Sequence, residues 1–377
     1  MSIVMRLLFG ALVALHGTIH LLGVAKAFGA RSLPLQHAIS RPLGLLWLLG
    51  ALLFLTAAIA IVIGWGSWWW LLLPALLLSQ GLILSVFSDA KYGSLANAVI
   101  VLPLLVAMLD RAPSSYRAQY ADQVATRIAT RPTSHAFSEG ELAALPPSLR
   151  KYLQVTGASD FGHVTNVRVR MRGEIRRSVD ANWMPFEAEQ YDFFDRPARL
   201  FYLRAKTYGV PFDALHVYSD GHATMRAKAA ALLNVVDARG PEMDQSETVT
   251  LFNDMCLLAP ASLVGAPIEW QELDAKRLRG TLRLAGQSVS ALLWFNDAGE
   301  LENFTSEDRY LSSDGKRYQK ARWSTPVRAY RDFQGRRVAS YGEASWALPN
   351  GEFAYVRMNL LAVEYDAERD LRKGSTL

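Results

Sequence analysis

Residues 244–259 read Asp-Gln-Ser-Glu-Thr-Val-Thr-Leu-Phe-Asn-Asp-Met-Cys-Leu-Leu-Ala. Val249, Leu251, Phe252, Met255, Cys256, Leu257 and Leu258 fall around most of a helical circumference. A helix that is apolar nearly all round has to be buried. Asp244 and Glu247 have the spacing of an N-cap acid and its N3 partner, which sets the expected start. On such a helix Cys256 reads as a small buried hydrophobe, not a reactive thiol.

What buries it stands on either side. From about residue 163 the apolar period falls to two: Val167, Val169 and Met171 alternate with Arg168, Arg170 and Arg172. Phe201, Leu203 and Ala205 alternate with Tyr202, Arg204 and Lys206, and Leu278, Leu282 and Leu284 with Arg277, Arg279, Thr281 and Arg283. One apolar and one charged face is the pattern of antiparallel strands with a wet side. Turn signals recur at Tyr208-Gly209, Ser219-Asp220-Gly221, Asn296-Asp297-Ala298-Gly299, Ser313-Asp314-Gly315 and Pro349-Asn350-Gly351. Residues 141–377 are therefore expected to form an α+β domain: a curved antiparallel sheet, a half-barrel of roughly ten strands, around the buried helix.

The chain ahead of this domain is of another kind. Residues 1–110 hold five of the 40 Lys/Arg and two of the 35 Asp/Glu. The excess of positive charge thus sits among apolar residues, and the rest is close to neutral, which argues against a nucleic-acid-binding domain. Apolar stretches at 5–28, 43–63, 67–88 and 95–110 predict a four-helix transmembrane bundle, the first three long enough to cross and the last marginal. Trp65, Trp68, Trp69 and Trp70 crowd one turn, as an interfacial belt does. Arg6 and Ala25-Lys26-Ala27 give part of a signal-peptide pattern, but His16 and His20 interrupt the apolar region, so a retained helix is expected. Residues 111–140 form a linker in which Tyr116, Tyr120, Val124 and Ile128 predict an amphipathic helix. Ser138 and Glu141 have capping-box spacing.

An even number of spans puts His16, His20, His37, Gln80, Asp89, Lys91 and Asn97 toward one side of the bundle as a polar cluster. Polar groups at membrane depth face a bundle interior or a cavity. Ordinary interhelical hydrogen bonding is the favoured reading, ahead of an ion, proton or headgroup site. The loops on the cluster side carry Lys26, Arg31, Arg41 and Lys91, the other side Arg6, Arg111 and Arg117, a balance that selects no orientation.

Two segments carry a resemblance. His16-Gly17-Thr18-Ile19-His20-Leu21-Leu22-Gly23 with Ser88-Asp89-Ala90-Lys91-Tyr92-Gly93-Ser94-Leu95-Ala96-Asn97 is one, and Trp183-Met184-Pro185-Phe186-Glu187-Ala188-Glu189-Gln190 with Gly240-Pro241-Glu242 is the other. Together they resemble an uncharacterised bacterial family, a domain of unknown function whose members carry or lack a four-helix membrane part. That implies a multi-pass protein of the bacterial inner (cytoplasmic) membrane and supplies no activity. The order short helix, strands, buried helix, strands is also similar to periplasmic lipoprotein carriers of the Lol type, which implies a half-barrel lined with apolar side chains.

Candidate chemistry is sparse. Glu187 and Glu189 share a strand face and are the catalytic candidates, although cross-strand pairing with Arg204 and Lys206 is favoured. Cys256 stands alone, so no internal disulfide or multi-cysteine metal centre is possible. His163, His216 and His222 lack metal-ligand spacing, and no phosphate-binding loop occurs. No metal or cofactor is expected. Trp183, Phe186, Phe252, Met255 and Trp294 are the candidate lining of a groove for a lipid or other hydrophobic ligand. The sequence thus favours a binding module that presents such a ligand at the bilayer. A sensor or scaffold working through the bundle comes second, and a hydrolase-type enzyme using Glu187 and Glu189 third.

Overall fold

In the computed structural model the apolar stretches fold as four helices, α1 (Ile3–Ala27), α2 (Arg41–Ile63), α3 (Trp69–Ser85) and α4 (Phe87–Leu109). The structure describes residues 3–30, 36–128, 135–207, 210–312 and 314–368; Arg31, the Tyr208-Gly209 turn and Ser313 lie outside them. The chain forms two compact units, one built on Met1–Ser115 and the other on Tyr116–Thr207 with Pro211–Leu377.

In the first unit α1, α2 and α4 are long and apolar enough to cross a membrane, whereas α3 has 17 residues. The expected order of lengths is thereby corrected, since the marginal stretch was the fourth. Its helix runs through Asp89 and Lys91 and starts at Phe87. Asp89 accepts hydrogen bonds from the backbone N–H and Nδ1 of His37, at 2.8 and 3.1 Å, so its charge does not force a break. A corner at Val86 instead turns α4 back along α3, bringing Asn97 to Ser79. Helices α1 and α2 pack closely: a Cβ on Gly17 would lie 2.7 Å from Phe54 Cβ, the small-residue contact expected between helices in lipid.

The second unit opens with α5 (Tyr116–Ile128), α6 (Glu139–Ala143) and α7 (Pro147–Val155). Six strands follow: β1 (Asn166–Ile175), β2 (Met184–Phe193), β3 (Ala198–Thr207), β4 (Val210–Ser219), β5 (His222–Ala229) and β6 (Leu233–Arg239). Helix α8 (Pro241–Leu257) precedes β7 (Ile268–Asp274), β8 (Arg277–Leu284), β9 (Gln287–Phe295) and β10 (Leu301–Ser306). The last strands are β11 (Tyr310–Leu311), β12 (Gln319–Lys320), β13 (Trp323–Ser324), β14 (Val327–Phe333), β15 (Arg336–Leu348) and β16 (Gly351–Tyr365).

Fourteen strands make one curled antiparallel sheet in the order β6-β5-β4-β3-β2-β1-β16-β15-β13-β10-β9-β8-β7, with β14 added on β15. The number exceeds the expected ten partly because a two-residue strand such as β13 leaves no alternation to read. Helix α8 lies on the concave side, against β5 and β6 on one wing and β9 and β10 on the other. Every residue from Ser246 to Cys256 is buried. The helix starts earlier than Asp244 predicts: Gly240 (φ 111°) is the N-cap and Pro241 occupies the first turn. Asp244 is used elsewhere, accepting from the Ala223 N–H at 2.6 Å.

Hairpin turns are closed by left-handed pairs. Asp220-Gly221, Ala285-Gly286 and Gln334-Gly335 each place glycine second, but the β5–β6 turn uses Ala230 (φ 53°) and Ala231 (φ 57°). An alanine in this region costs about 1–2 kcal/mol. The core has no such strain: Phe252 is fully buried, with ring centroids 5.5 Å from Phe304 and 6.1 Å from Trp270. Phe252→Ala is expected to destabilise the second unit by about 3–5 kcal/mol, read as a lowered midpoint in chemical denaturation of the detergent-solubilised chain.

Candidate functional site

Strand β1 divides its side chains between two faces. Val167, Val169 and Met171 are buried in the core, and Arg168, Arg170 and Arg172 point to the other side. Register carries this polar face across the sheet. Arg172 stands opposite Glu187 and Asn359, Glu187 opposite Arg204, and Asn359 opposite Tyr341. One row on, Glu174 stands opposite Arg357. These rows line an open groove of about 680 Å³ that holds Arg172, Arg204, Lys206 and Arg357 against Glu174 and Glu187, with Pro185, Phe186 and Ala205 beside them. Arg357 Nε donates to Glu174 at 2.6 Å. The guanidinium groups of Arg357 and Arg176 lie 4.4 and 4.5 Å from the Trp183 ring centre, cation–π contacts that fix the indole beside the groove.

The same face is closed at its other end. The linker helix α5 lays Tyr116 and Tyr120 among Tyr191, Phe193 and Tyr202. Beneath it Glu189 accepts from Arg168 Nη2 at 2.8 Å and from the Tyr120 hydroxyl at 3.4 Å. Glu187 is exposed in the groove and Glu189 is buried under α5. The two catalytic candidates share a strand face but not an environment, and only Glu187 is open to a substrate.

The expected ligand-lining residues are likewise separated. Trp183 and Phe186 meet the groove. Phe252 and Met255 are core side chains of α8. Trp294, 37% exposed, lies under Arg277 on the outside of β9. In the bundle, His20 Nδ1 donates to the His16 carbonyl at 2.9 Å and His16 Nε2 lies 3.3 Å from Ser79 Oγ. Asn97 donates to Ser79 and to Gln80, both at 3.1 Å. His16, His20, Gln80 and Asn97 thus form one buried or half-buried group. His37 pairs with Asp89 apart from it, and Lys91 is exposed over the Tyr92 ring.

A second cluster escaped the sequence reading. On the core face of β2, Phe186 and Ala188 are followed by Gln190 and Asp192, all buried. Arg199 of β3, opposite Asp192, reaches α8: its Nε donates to Asp254 at 2.7 Å, Nη1 to Glu247 at 3.2 Å and Nη2 to Gln190 at 2.9 Å. Gln190 donates to Asp192 and Asp254, each at 2.8 Å, and His216 and Arg309 flank Glu247 at 3.8 and 3.5 Å. Burial pushes the Glu247 carboxyl up, but His216, Arg199 and Arg309 outweigh it and hold the group well below the usual range. Burial, with the adjacent Asp254 carboxylate, raises Asp192 well above its ordinary value, and Arg199 offsets this only in part. Asp192 Oδ1 has no hydrogen-bond partner, and burial also raises the neighbouring Asp254, where Arg199 and Gln190 oppose it. A visible signal existed: Gln190 and Asp192 interrupt the apolar alternation of β2, and Glu247 and Asp254 recur two turns apart on a buried helix.

Removing Arg199 leaves two carboxylates unanswered, so Arg199→Met is expected to cost about 3–5 kcal/mol in denaturation experiments. For Asp192 the folded state holds the proton more tightly than the unfolded one. Its contribution is complete below the ordinary Asp value and is lost as pH rises through the folded value. Asp192→Asn is therefore expected to exceed the parent in stability at pH 7, and the difference shrinks toward pH 4.

The profile of a family of unknown function, DUF6544, matches residues 135–358 and leaves the apolar helices outside the match. Among solved structures the chain is similar to a candidate outer membrane lipoprotein-sorting protein domain from Vibrio parahaemolyticus (8% identity, TM-score 0.35, covering 58% of this chain and 91% of that one). It is also similar to a DUF1329 family protein from Desulfovibrio piger (10%, 0.35, 60% and 93%). A LolA superfamily protein from Nitrosomonas europaea is a third (11%, 0.32, 58% and 94%). At such superposition these likenesses carry no functional argument. No curated protein matches the chain. Because the matched segment spans more than half of its length, the chain belongs to the DUF6544 family of unknown function.

Proposed function

We propose that the β-rich unit binds a lipid-like amphiphile with an anionic head and that the apolar helices hold it at a bacterial inner membrane. The observation that carries this reading is the groove over β15, β16, β1, β2 and β3. Four cations face two carboxylates there, in a volume within the roughly 300–1,000 Å³ of ordinary ligand sites. Arg204 is also paired with Asp213 at 3.6 Å, so the surplus positive charge sits chiefly on Arg172 and Lys206; it suits a phosphate or carboxylate, and Arg forks bind such groups bidentately. Beside the groove the half-buried Trp183, stacked under Arg176 and Arg357, offers apolar surface for a chain. The concave interior plays a different part in this reading: α8 fills it, and it supplies rigidity to the strands that present the groove.

The test is lipid extraction and mass spectrometry of the full chain purified in mild detergent. The parent is expected to retain an anionic amphiphile, and Arg172→Glu with Lys206→Glu to lower its occupancy at least tenfold, about 1.4 kcal/mol, with the melting temperature unchanged because both side chains are exposed. Retention unaltered by the double substitution, or no retained amphiphile in the parent, rejects the groove as the site.

A further inference from the structure

The two ends of the β-rich sheet differ in a way that ligand binding does not require. The turns at one end are polar: Asp195 and Arg196 lie between β2 and β3, and Asp220 and His222 form the β4–β5 turn. At the other end the β1–β2 loop exposes Val179, and the β5–β6 turn and the start of β6 expose Leu232, Leu233 and Val235, with Leu233 66% and Val179 57% accessible. The strained Ala230-Ala231 pair holds this second turn. Arg176, Arg177, Lys206 and Lys228 stand around the apolar tips, against Asp180 and, on β16, Glu352.

We infer that this apolar, basic rim docks on the surface of an anionic bilayer, its hydrophobic tips entering the headgroup region and its cations pairing with lipid phosphates. Apolar side chains ringed by Lys and Arg are the composition of interfacial anchors, and Leu232, Leu233 and Val235 are grouped at one turn, as at interaction sites, and not scattered singly. Tyr116, at the start of α5, lies under Arg226 and Lys228 of β5, its ring centre 4.7 Å from Lys228 Nζ, and holds these cations beside the rim. The far end of α5 reaches the polar end of the sheet, where Arg127 donates to Ser219.

Cys256 is buried, so a single introduced cysteine reports its own position. Val179→Cys, Leu233→Cys and, at the polar end, Arg196→Cys are labelled with a polarity-sensitive dye in the full chain and placed in nanodiscs of phosphatidylcholine with phosphatidylglycerol. The first two are expected to emit at shorter wavelength and to be several-fold less quenched by iodide than the third. Adding Arg177→Glu is expected to weaken the shielding at Val179→Cys about fivefold, as does purely zwitterionic lipid. Equal quenching at all three positions overturns the inference. So does shielding that neither zwitterionic lipid nor Arg177→Glu diminishes, since lipid charge and the basic rim then contribute nothing. The dye reads docking and mass spectrometry reads the amphiphile, so either can fail without the other.

Discussion

Two carboxylates on a helix with no exposed side have to be answered from the sheet, and Arg199 is where this happens. Glu247 and Asp254 are carried into the concavity by α8, and the guanidinium of Arg199 bonds both while also holding Gln190. A fork of five donors in fixed geometry suits that task where an ammonium would not. The bonds fix the rotation of α8 about its own axis. Phe252 then points at Phe304 and Trp270, and Met255 and Cys256 enter the same core. Apolar contacts alone would leave the rotation of such a uniformly buried helix poorly defined, because nearly every face is equally greasy. A buried ionic group is weak evidence for net stability, and its role here is better described as register.

With the interior occupied, the chemistry available to a ligand moves to the outer face of β1, β2 and β3. That face is not uniform. Helix α5 covers the end near Tyr191 and Phe193 and turns Glu189 into a structural acid, while the end near Glu187 stays open. Chemically similar residues two apart on one strand therefore acquire different fates from what packs above them. The carboxylate pair that suggests acid–base chemistry on paper becomes one buried ion pair and one groove residue.

This contrast marks how far the sequence could be read. The alternation of Val167, Val169 and Met171 with arginines is a local property, and so is the apolar wrap of α8; both survive as strand and buried helix. The capping box of Ser138 and Glu141 is also local and forms as expected, Glu141 bonding the Ser138 N–H at 2.8 Å. What was not legible depends on register. The groove needs Arg172, Glu187, Arg204 and Asn359 in one row, and those pairings join β1 to the last strand of the chain. The start of α4 was hidden because Asp89 looks too costly inside an apolar helix until its bonds to His37 are known. Gln190 and Asp192 were visible as a lapse in periodicity, but their partner lies on another strand and a helix far along the sequence.

Groove and rim lie on one edge of the same sheet, and that geometry ties the two proposals into one arrangement. Lys206 lines the groove and closes β3 at the rim, and Arg176 stacks on Trp183 where the β1–β2 loop begins. If the rim meets the headgroup region, Lys206, which belongs to both rim and groove, faces the field of anionic lipids, which acts over a Debye length of about 8–10 Å. A lipid drawn from the bilayer would then exchange one cationic environment for another, with little net electrostatic cost, while its chain passes along Trp183. A basic groove far from lipid would have to recruit its anion from solution at full desolvation cost. Placing basic groove and apolar tips on one edge lowers that cost, and the uneven exposure of the sheet's two ends is the physical trace of that placement.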